Sequence, residues 1–281
     1  MMKLLKGSDV AKLIKNKISE DIKELHKIGK IPKLAMVRLG NDPSDVSYEK
    51  SIIKNCDALG IDSSPIELAR DIETDALLSS INDLNSDKSI SGIIIFRPLP
   101  KHIDEKSVNM AINPSKDVDC MHPLNLEKIF EGDESGFAPC TPKAAMEILL
   151  HNEIPMEGKN VVIINRTLVV GKPLAMMLLN ENATVTICHS KTKNLPEITS
   201  KADIVMTALG KAKFLDDNYF NKDSIVIDIG VSLDENEKIS GDVDMNRVSD
   251  KISMITPVPG GVGSVTTSIL LRQVVEACKI N

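Results

Sequence analysis

A chain of 281 residues, 42% hydrophobic and 26% charged, can bury a sizeable core, which excludes the disordered and fibrous classes and suggests two domains or one large α/β domain. The net charge of −6, with no basic run or basic-aromatic interleaving, argues against a nucleic-acid partner, and no apolar run approaches the length of a membrane span. Five scattered cysteines, odd in number and without a CxxC pair, point to reduced thiols in a cytoplasmic protein rather than to disulfides or a zinc site.

Val10, Leu13, Ile14 and Ile18 recur at helical spacing, so the chain is predicted to open with a helix ending near Gly29; charge comes too early for a signal peptide. "KLAMVRLG" (33–40) reads as a buried strand, followed by a helix from Pro43 to Gly60. A strand at 64–70, a helix at 73–86 and the apolar strand "ISGIIIF" (90–96) continue the βαβ rhythm of a mostly parallel sheet. A second series holds strands at 161–165, 183–189, 202–209 and 224–230, with a helix at 171–181. "SVTTSILLRQVVEACK" (264–279) closes the chain as an amphipathic helix. The expected fold is α/β and two-lobed, with a boundary within 135–158 and a cleft between the lobes.

"VVIINRTLVVGKP" (161–173) passes from strand through loop to a helix starting near Gly171, where free N–H groups and the positive helix end suit a pyrophosphate. GxGxxG is absent, so an ordinary βα turn stays open as the alternative. A NAD site normally ends its second strand with an acid; here that strand ends in His189-Ser190, and Arg166 stands in the first loop. An arginine with a hydroxyl suits a 2′-phosphate, favouring NADP over NAD, against the alternative of a solvated arginine. "TPVPGGVGSVT" (256–266) carries Gly260, Gly261 and Gly263 into the last helix; it is either a ligand-approach loop or a rigid connector.

The order of Tyr48, "RPLPKHID", "KDVDCMHP", "PCTP", "NRTLVVGKP", "ATVTICHSKT" and "TPVPGGVGSVT" resembles the methylenetetrahydrofolate dehydrogenase/cyclohydrolase family (FolD type) over essentially the full length. The resemblance implies a folate-binding lobe (1–140), a Rossmann NAD(P) lobe (141–264) and a last helix (265–281) returning to the first lobe. It implies a homodimer that oxidises 5,10-methylenetetrahydrofolate with NADP (NAD being possible); bifunctional members also hydrolyse the methenyl product. Tyr48 matches the residue stacking on folate, and Asp119 the one holding the pterin. Pro259, Gly260 and Gly261 match the loop flanking nicotinamide and folate. Arg166 and Ser190 match positions for the 2′-phosphate, with Thr141, Gly171, His189, Gly210, Gly230 and Val231 completing the cofactor set. Asn165-Arg166-Thr167 stands where Gly-Arg-Ser is usual.

Bifunctional members carry a lysine four residues after the tyrosine and a glutamine before Leu-Pro-Leu-Pro; here those positions hold Ile52 and Phe96, followed by Arg97. On a helix, position i+4 shares a face with i, so neither Lys50 nor Lys54 replaces the lost lysine. Hydride loss needs orientation, whereas ring hydrolysis needs proton transfers that isoleucine and phenylalanine cannot perform. The expected activity is therefore the dehydrogenase with little cyclohydrolase. The competing expectations are the full bifunctional enzyme and a folate- or dinucleotide-binding sensor. Asp117 is expected to order its own loop, with Asp119 open to an alternative role as a helix cap.

Overall fold

The computed structural model describes residues 2–281. In chain order the elements are β1 (Lys3–Leu4), α1 (Gly7–Lys27), β2 (Lys33–Leu39), α2 (Pro43–Leu59), β3 (Asp62–Leu68), α3 (Thr74–Ser86), β4 (Gly92–Ile95), α4 (Glu105–Ala111) and α5 (Pro123–Glu131). There follow α6 (Cys140–His151), β5 (Asn160–Ile164), α7 (Gly171–Asn180), β6 (Thr184–Cys188), α8 (Leu195–Thr199), β7 (Ile204–Thr207) and β8 (Ile225–Asp228). The chain ends with β9 (Ser232–Leu233), β10 (Ile239–Ser240), α9 (Met245–Val248), β11 (Met254–Ile255) and α10 (Val262–Ile280).

Two compact units result: residues 2–12 with Cys140–Thr266, and Leu13–Pro139 with Thr267–Asn281. The sequence expectation assigned everything up to residue 140 to one lobe. The structure instead groups residues 2–12 with the later unit, because β1 pairs in parallel with β11 there (Lys3 opposite Met254, Leu4 opposite Ile255). A two-residue strand carries no periodicity, so only its partner reveals it. Leu13, counted above with the apolar face of α1, is 55% exposed, whereas Val10, Ile14 and Ile18 are buried.

In the unit Leu13–Pro139 with Thr267–Asn281, β2 is the centre of a parallel sheet ordered β3-β2-β4. Six of the seven residues of β2 are buried, so its run of apolar side chains is covered on both faces, as parallel sheets require. Ala35, Val37, Ile93 and Ile95 of the sheet pack with Leu77 and Ile81 of α3 and Val108 of α4. Each of the valine, leucine and isoleucine side chains contributes roughly 1.5–3 kcal/mol on burial. Helix α2 is fixed at both ends: Asp42 accepts from Ser44 N at 2.9 Å, Pro43 opens the first turn, and Gly60 closes it in the left-handed region.

In the other unit six parallel strands run β1-β11-β8-β7-β5-β6. Val162 and Ile164 of β5, Val205 of β7 and Val226 of β8 pack with Leu215, Phe220, Val243 and Val248. The β6-β5-β7-β8 portion is the arrangement in which the chain turns back at β5, and ligands in such sheets bind outside the carboxyl ends of the strands. All five cysteines are free and buried, and among the described residues no helix is long and apolar enough to cross a membrane.

Candidate active site

At the carboxyl ends of the three-stranded sheet, Tyr48 projects from the second turn of α2 and is 38% exposed. Its ring lies 5.6 Å from that of Phe96, which follows β4, with the planes tilted by 40°. Ile52, one turn further along α2, has no solvent exposure, and Glu49 and Cys56 are buried beside it on that face. Glu49 holds α2 to the sheet through Arg38 Nε at 3.3 Å, while Arg38 also donates to Glu67 at 2.9 Å and to the Gly40 carbonyl. Burial opposes the Arg38 charge, but the two carboxylates outweigh it and raise its pKa above the ordinary value. Arg97 donates to the Glu105 carboxylate and to Asn109. Burial pulls the Arg97 pKa down, against the field of Asp119 and Asp117.

The loop after α4 is built from buried polar groups. Lys116 donates through Nζ to the carbonyls of Leu84, Asn85 and Asp87 (3.1, 2.8 and 2.7 Å), closing the end of α3 with a cation. Asp117 is fully buried and accepts from Met121 N, His122 N and Asn125 Nδ2, each at 2.8 Å. Burial raises its pKa. It therefore orders its own loop, as the sequence suggested. The cap of α5 is His122, whose Nδ1 accepts from Leu124 N at 3.1 Å, so the capping role left open for Asp119 belongs to another residue. Between Lys116 and Cys120 only Asp119 is not buried.

In the other unit Ile164 and Cys188 are in register at the ends of neighbouring strands, so the segments Asn165–Thr167 and His189-Ser190 emerge side by side. Arg166 and Ser190 are both exposed there. Asn165 Oδ1 accepts from Thr167 N (2.8 Å), Thr167 Oγ1 (2.8 Å) and Gly171 N (3.0 Å), while Nδ2 donates to Ala208 O at 2.7 Å. The Asn165 side chain is thus spent on shaping its own turn and joining it to the segment after β7. Gly171 must remain glycine, since a Cβ would lie 2.1 Å from Asn165 O. His189 Nδ1 accepts from Lys191 N at 3.1 Å, and Thr141 is half-buried on the first turn of α6.

Two buried acids, Asp228 and Asp242, organise the segments after β7 and β8. Asp242 accepts from Thr207 Oγ1 (2.7 Å), Leu209 N (2.6 Å) and Lys211 N (2.8 Å), bracketing Gly210. Asp228 accepts from Gly230 N (3.0 Å), Asp242 N (3.1 Å) and Val243 N (2.9 Å). Burial, with the Asp242 charge adding to it, pushes the Asp228 pKa up to about 7. Val231, Ile239 and the 257–261 loop line a cavity of about 240 Å³. Gly260 occupies the left-handed side at φ 103° and its carbonyl accepts from Gly7 N at 2.8 Å. The structure thus brings Val231 to Pro259, Gly260 and Gly261, and Arg166 to Ser190. Asn125, Asp228, Asp242 and Gln273 went unnoticed in the sequence. A larger cavity of about 370 Å³ lies at the amino ends of β2 and β4, beside Lys33 and Ser91, away from the ends that carry Tyr48 and Phe96.

Two family patterns cover most of the chain: tetrahydrofolate dehydrogenase/cyclohydrolase, catalytic domain, matches residues 5–119, and the NAD(P)-binding domain of the same family matches 139–281. The chain belongs to the tetrahydrofolate dehydrogenase/cyclohydrolase family. Its membership makes it an oxidoreductase of one-carbon folate metabolism with an NAD(P)-binding domain. A Clostridium botulinum protein named bifunctional protein FolD is 56% identical over 281 residues, covering 100% of both chains. The crystal structure of the bifunctional FolD enzyme from Campylobacter jejuni matches with a TM-score of 0.97 at 42% identity, over 100% of this chain and 99% of that one. FolD from Trypanosoma brucei, solved with NADP and an inhibitor, matches with a TM-score of 0.94 at 31% identity, over 99% and 98% of the two chains.

Proposed function

We propose that this chain oxidises 5,10-methylenetetrahydrofolate to the 5,10-methenyl form with NADP, and that it has little or no cyclohydrolase activity. NADP, when bound, supplies the acceptor for the hydride. Arg166 and Ser190 take its 2′-phosphate, with Thr141, Asn165, Thr167, Gly171, His189, Gly210, Gly230 and Val231 completing the set. The fit is supported by the two exposed side chains at neighbouring strand ends, the close-packed Gly171 and the cavity bounded by Val231 and the glycine loop.

Tyr48 stacks on the folate, the Asp119 carboxylate accepts from pterin N–H groups, and Pro259, Gly260 and Gly261 flank the reacting rings. As hydride leaves the methylene carbon, the positive charge spreads over two ring nitrogens and no proton has to be removed. Orientation is then the main demand on the protein.

Ring opening makes a different demand. Water adds to the cationic carbon, a proton leaves the adduct and a ring nitrogen gains one. The observation that carries the proposal is that both positions usually given to these transfers are filled by hydrocarbon. Ile52 is wholly buried, and Phe96 is packed against Tyr48. A positioned acid–base group is typically worth about a hundred- to ten-thousand-fold in rate. Steady-state assays of both half-reactions, with each nicotinamide cofactor on one preparation, test the reading. The expected result is NADP reduction that depends on methylenetetrahydrofolate, and no enzyme-dependent decay of methenyltetrahydrofolate when cofactor is omitted.

A second reading is a bifunctional enzyme, favoured by the names of relatives as similar as 56% identical over the whole chain. Enzyme-dependent methenyltetrahydrofolate decay that survives substitution of Lys50 and Lys54 would establish it. The proposal extends to a cytoplasmic homodimer, for which sedimentation equilibrium is the check.

A further inference from the structure

We propose that two buried side-chain amides, Asn125 and Gln273, are positioning residues that hold Asp119 in its ligand-binding pose. This rests on the reading of Asp119 as the pterin-holding carboxylate.

Gln273 lies on α10 and is 4% exposed; Asn125 lies on α5 and is 2% exposed. Gln273 Nε2 donates to Val118 O at 2.7 Å and to Ala138 O at 3.0 Å, and its Oε1 accepts from Ala138 N at 3.0 Å. Asn125 repeats the pattern. Its Nδ2 donates to Pro114 O at 3.0 Å and to Asp117 Oδ2 at 2.8 Å, and its Oδ1 accepts from Phe137 N at 3.4 Å. Each amide therefore ties the 114–118 stretch to one residue of the 137–138 stretch, Gln273 at Val118 and Asn125 at both Pro114 and Asp117.

The bonds land where they govern Asp119. Val118 O belongs to the peptide whose nitrogen is that of Asp119, so holding this carbonyl fixes the plane entering the residue. On the far side Cys120 is in the left-handed region at φ 57°, and the next two N–H groups, of Met121 and His122, are held by Asp117. The peptide entering Asp119 is thus held by a side chain remote in sequence, and the turn leaving it by Asp117, whose carboxylate is itself held by Asn125; between Lys116 and Cys120 the Asp119 side chain is the one that is not buried. The Gln273 amide cannot be reversed without setting its oxygen against two carbonyls and its NH2 against an N–H, so its orientation is fixed by its partners. An apolar side chain would fill the same space; the amide adds direction to the loop.

The test is a double-mutant cycle. Gln273→Met keeps the bulk and removes the bonds to Val118 O, Ala138 O and Ala138 N. Its KM for methylenetetrahydrofolate should rise about tenfold, with KM for NADP unchanged within about twofold. In an Asp119→Ala background the same substitution should change the folate KM by less than about twofold, since the two residues act as one unit. Parallel shifts in both KM values, or effects that multiply, would overturn the proposal. Should the Met variant not be recovered folded, Gln273→Asn, which withdraws the amide by one methylene, carries the same expectation. Amide exchange gives an answer independent of turnover: the Gln273 variant should accelerate exchange at 118–121 more than in β2, and equal exchange overturns the proposal even if the wild type proves inactive with folate. Wild-type inactivity alone counts against the proposed function.

Discussion

Tyr48 and Phe96 form a tilted aromatic pair with centroids 5.6 Å apart, joining the second turn of α2 to the end of β4. On the proposed reading Phe96 stands at the position of a glutamine that orients a lysine at position 52, and both positions here are hydrocarbon. Substituting Ile52→Lys alone is expected to restore little hydrolysis, because the partner amide is still missing. Ile52→Lys with Phe96→Gln should raise methenyltetrahydrofolate decay by about a hundredfold or more. The single variant also places an uncompensated ammonium where Ile52 has 0% exposure, with an expected cost of roughly 3–5 kcal/mol in urea unfolding. Hydrolysis fully restored by the lysine alone would refute the coupling.

Asn165 is predicted to matter for the loop before it matters for the ligand. Asn165→Ala removes three acceptor bonds and the bridge to Ala208 O. A loss of about 2–3 kcal/mol is expected by chemical denaturation, together with a raised KM for NADP and an unchanged KM for folate.

Arg166→Ala should act on cofactor choice. Hydrogen bonds to charged groups contribute roughly 1.5–3 kcal/mol, so the NADP-to-NAD ratio of kcat/KM should fall about 10- to 100-fold, with the NAD value itself little changed. Equal losses with both cofactors would place Arg166 away from the 2′-phosphate.

Asp228 gives stability a pH dependence of definite sign. Its folded pKa of about 7 lies above the ordinary 3.8. Between those values the folded chain holds a proton that the unfolded chain has released, so this group's stabilisation is full below the lower value and is lost as pH rises to the upper one. The amount is on the order of a few kcal/mol. An Asp228→Asn chain lacks this titration. The wild type should lose stability relative to it between about pH 4 and 7 in urea melts, and a widening wild-type advantage over that window would contradict the assignment.

What the sequence made legible was whatever repeats locally. The apolar run of β2 and the helix limits at Pro43 and Gly60 were readable, because each is written within a few residues. Strands β1 and β11 were not, being two residues long and defined only by their pairing. The candidate site divides in the same way. Motif order put forward Tyr48, Asp119, Arg166 and Ser190 as candidates, and alternation gave Asp117 its loop-ordering role. The organising amides could not: Gln273 meets Val118 at a separation of 155 residues, and Asn165 meets Ala208 at 43. No local pattern distinguishes such a glutamine or asparagine from one at the surface. Leu13 shows the reverse failure, an apolar residue at helical spacing that faces solvent because the apolar stripe is narrower than the pattern suggested.

All five cysteines are enclosed, and burial, with the Asp57 charge adding to it, pushes the Cys56 thiol up to about 12. A maleimide or disulfide reagent therefore meets a dormant sulfur in the intact molecule and a responsive one only when a segment opens. The native chain carries its own internal gauges of breathing: Cys56 and Cys120 in one unit, Cys188 in the other, each able to report by its labelling rate how often its neighbourhood comes apart.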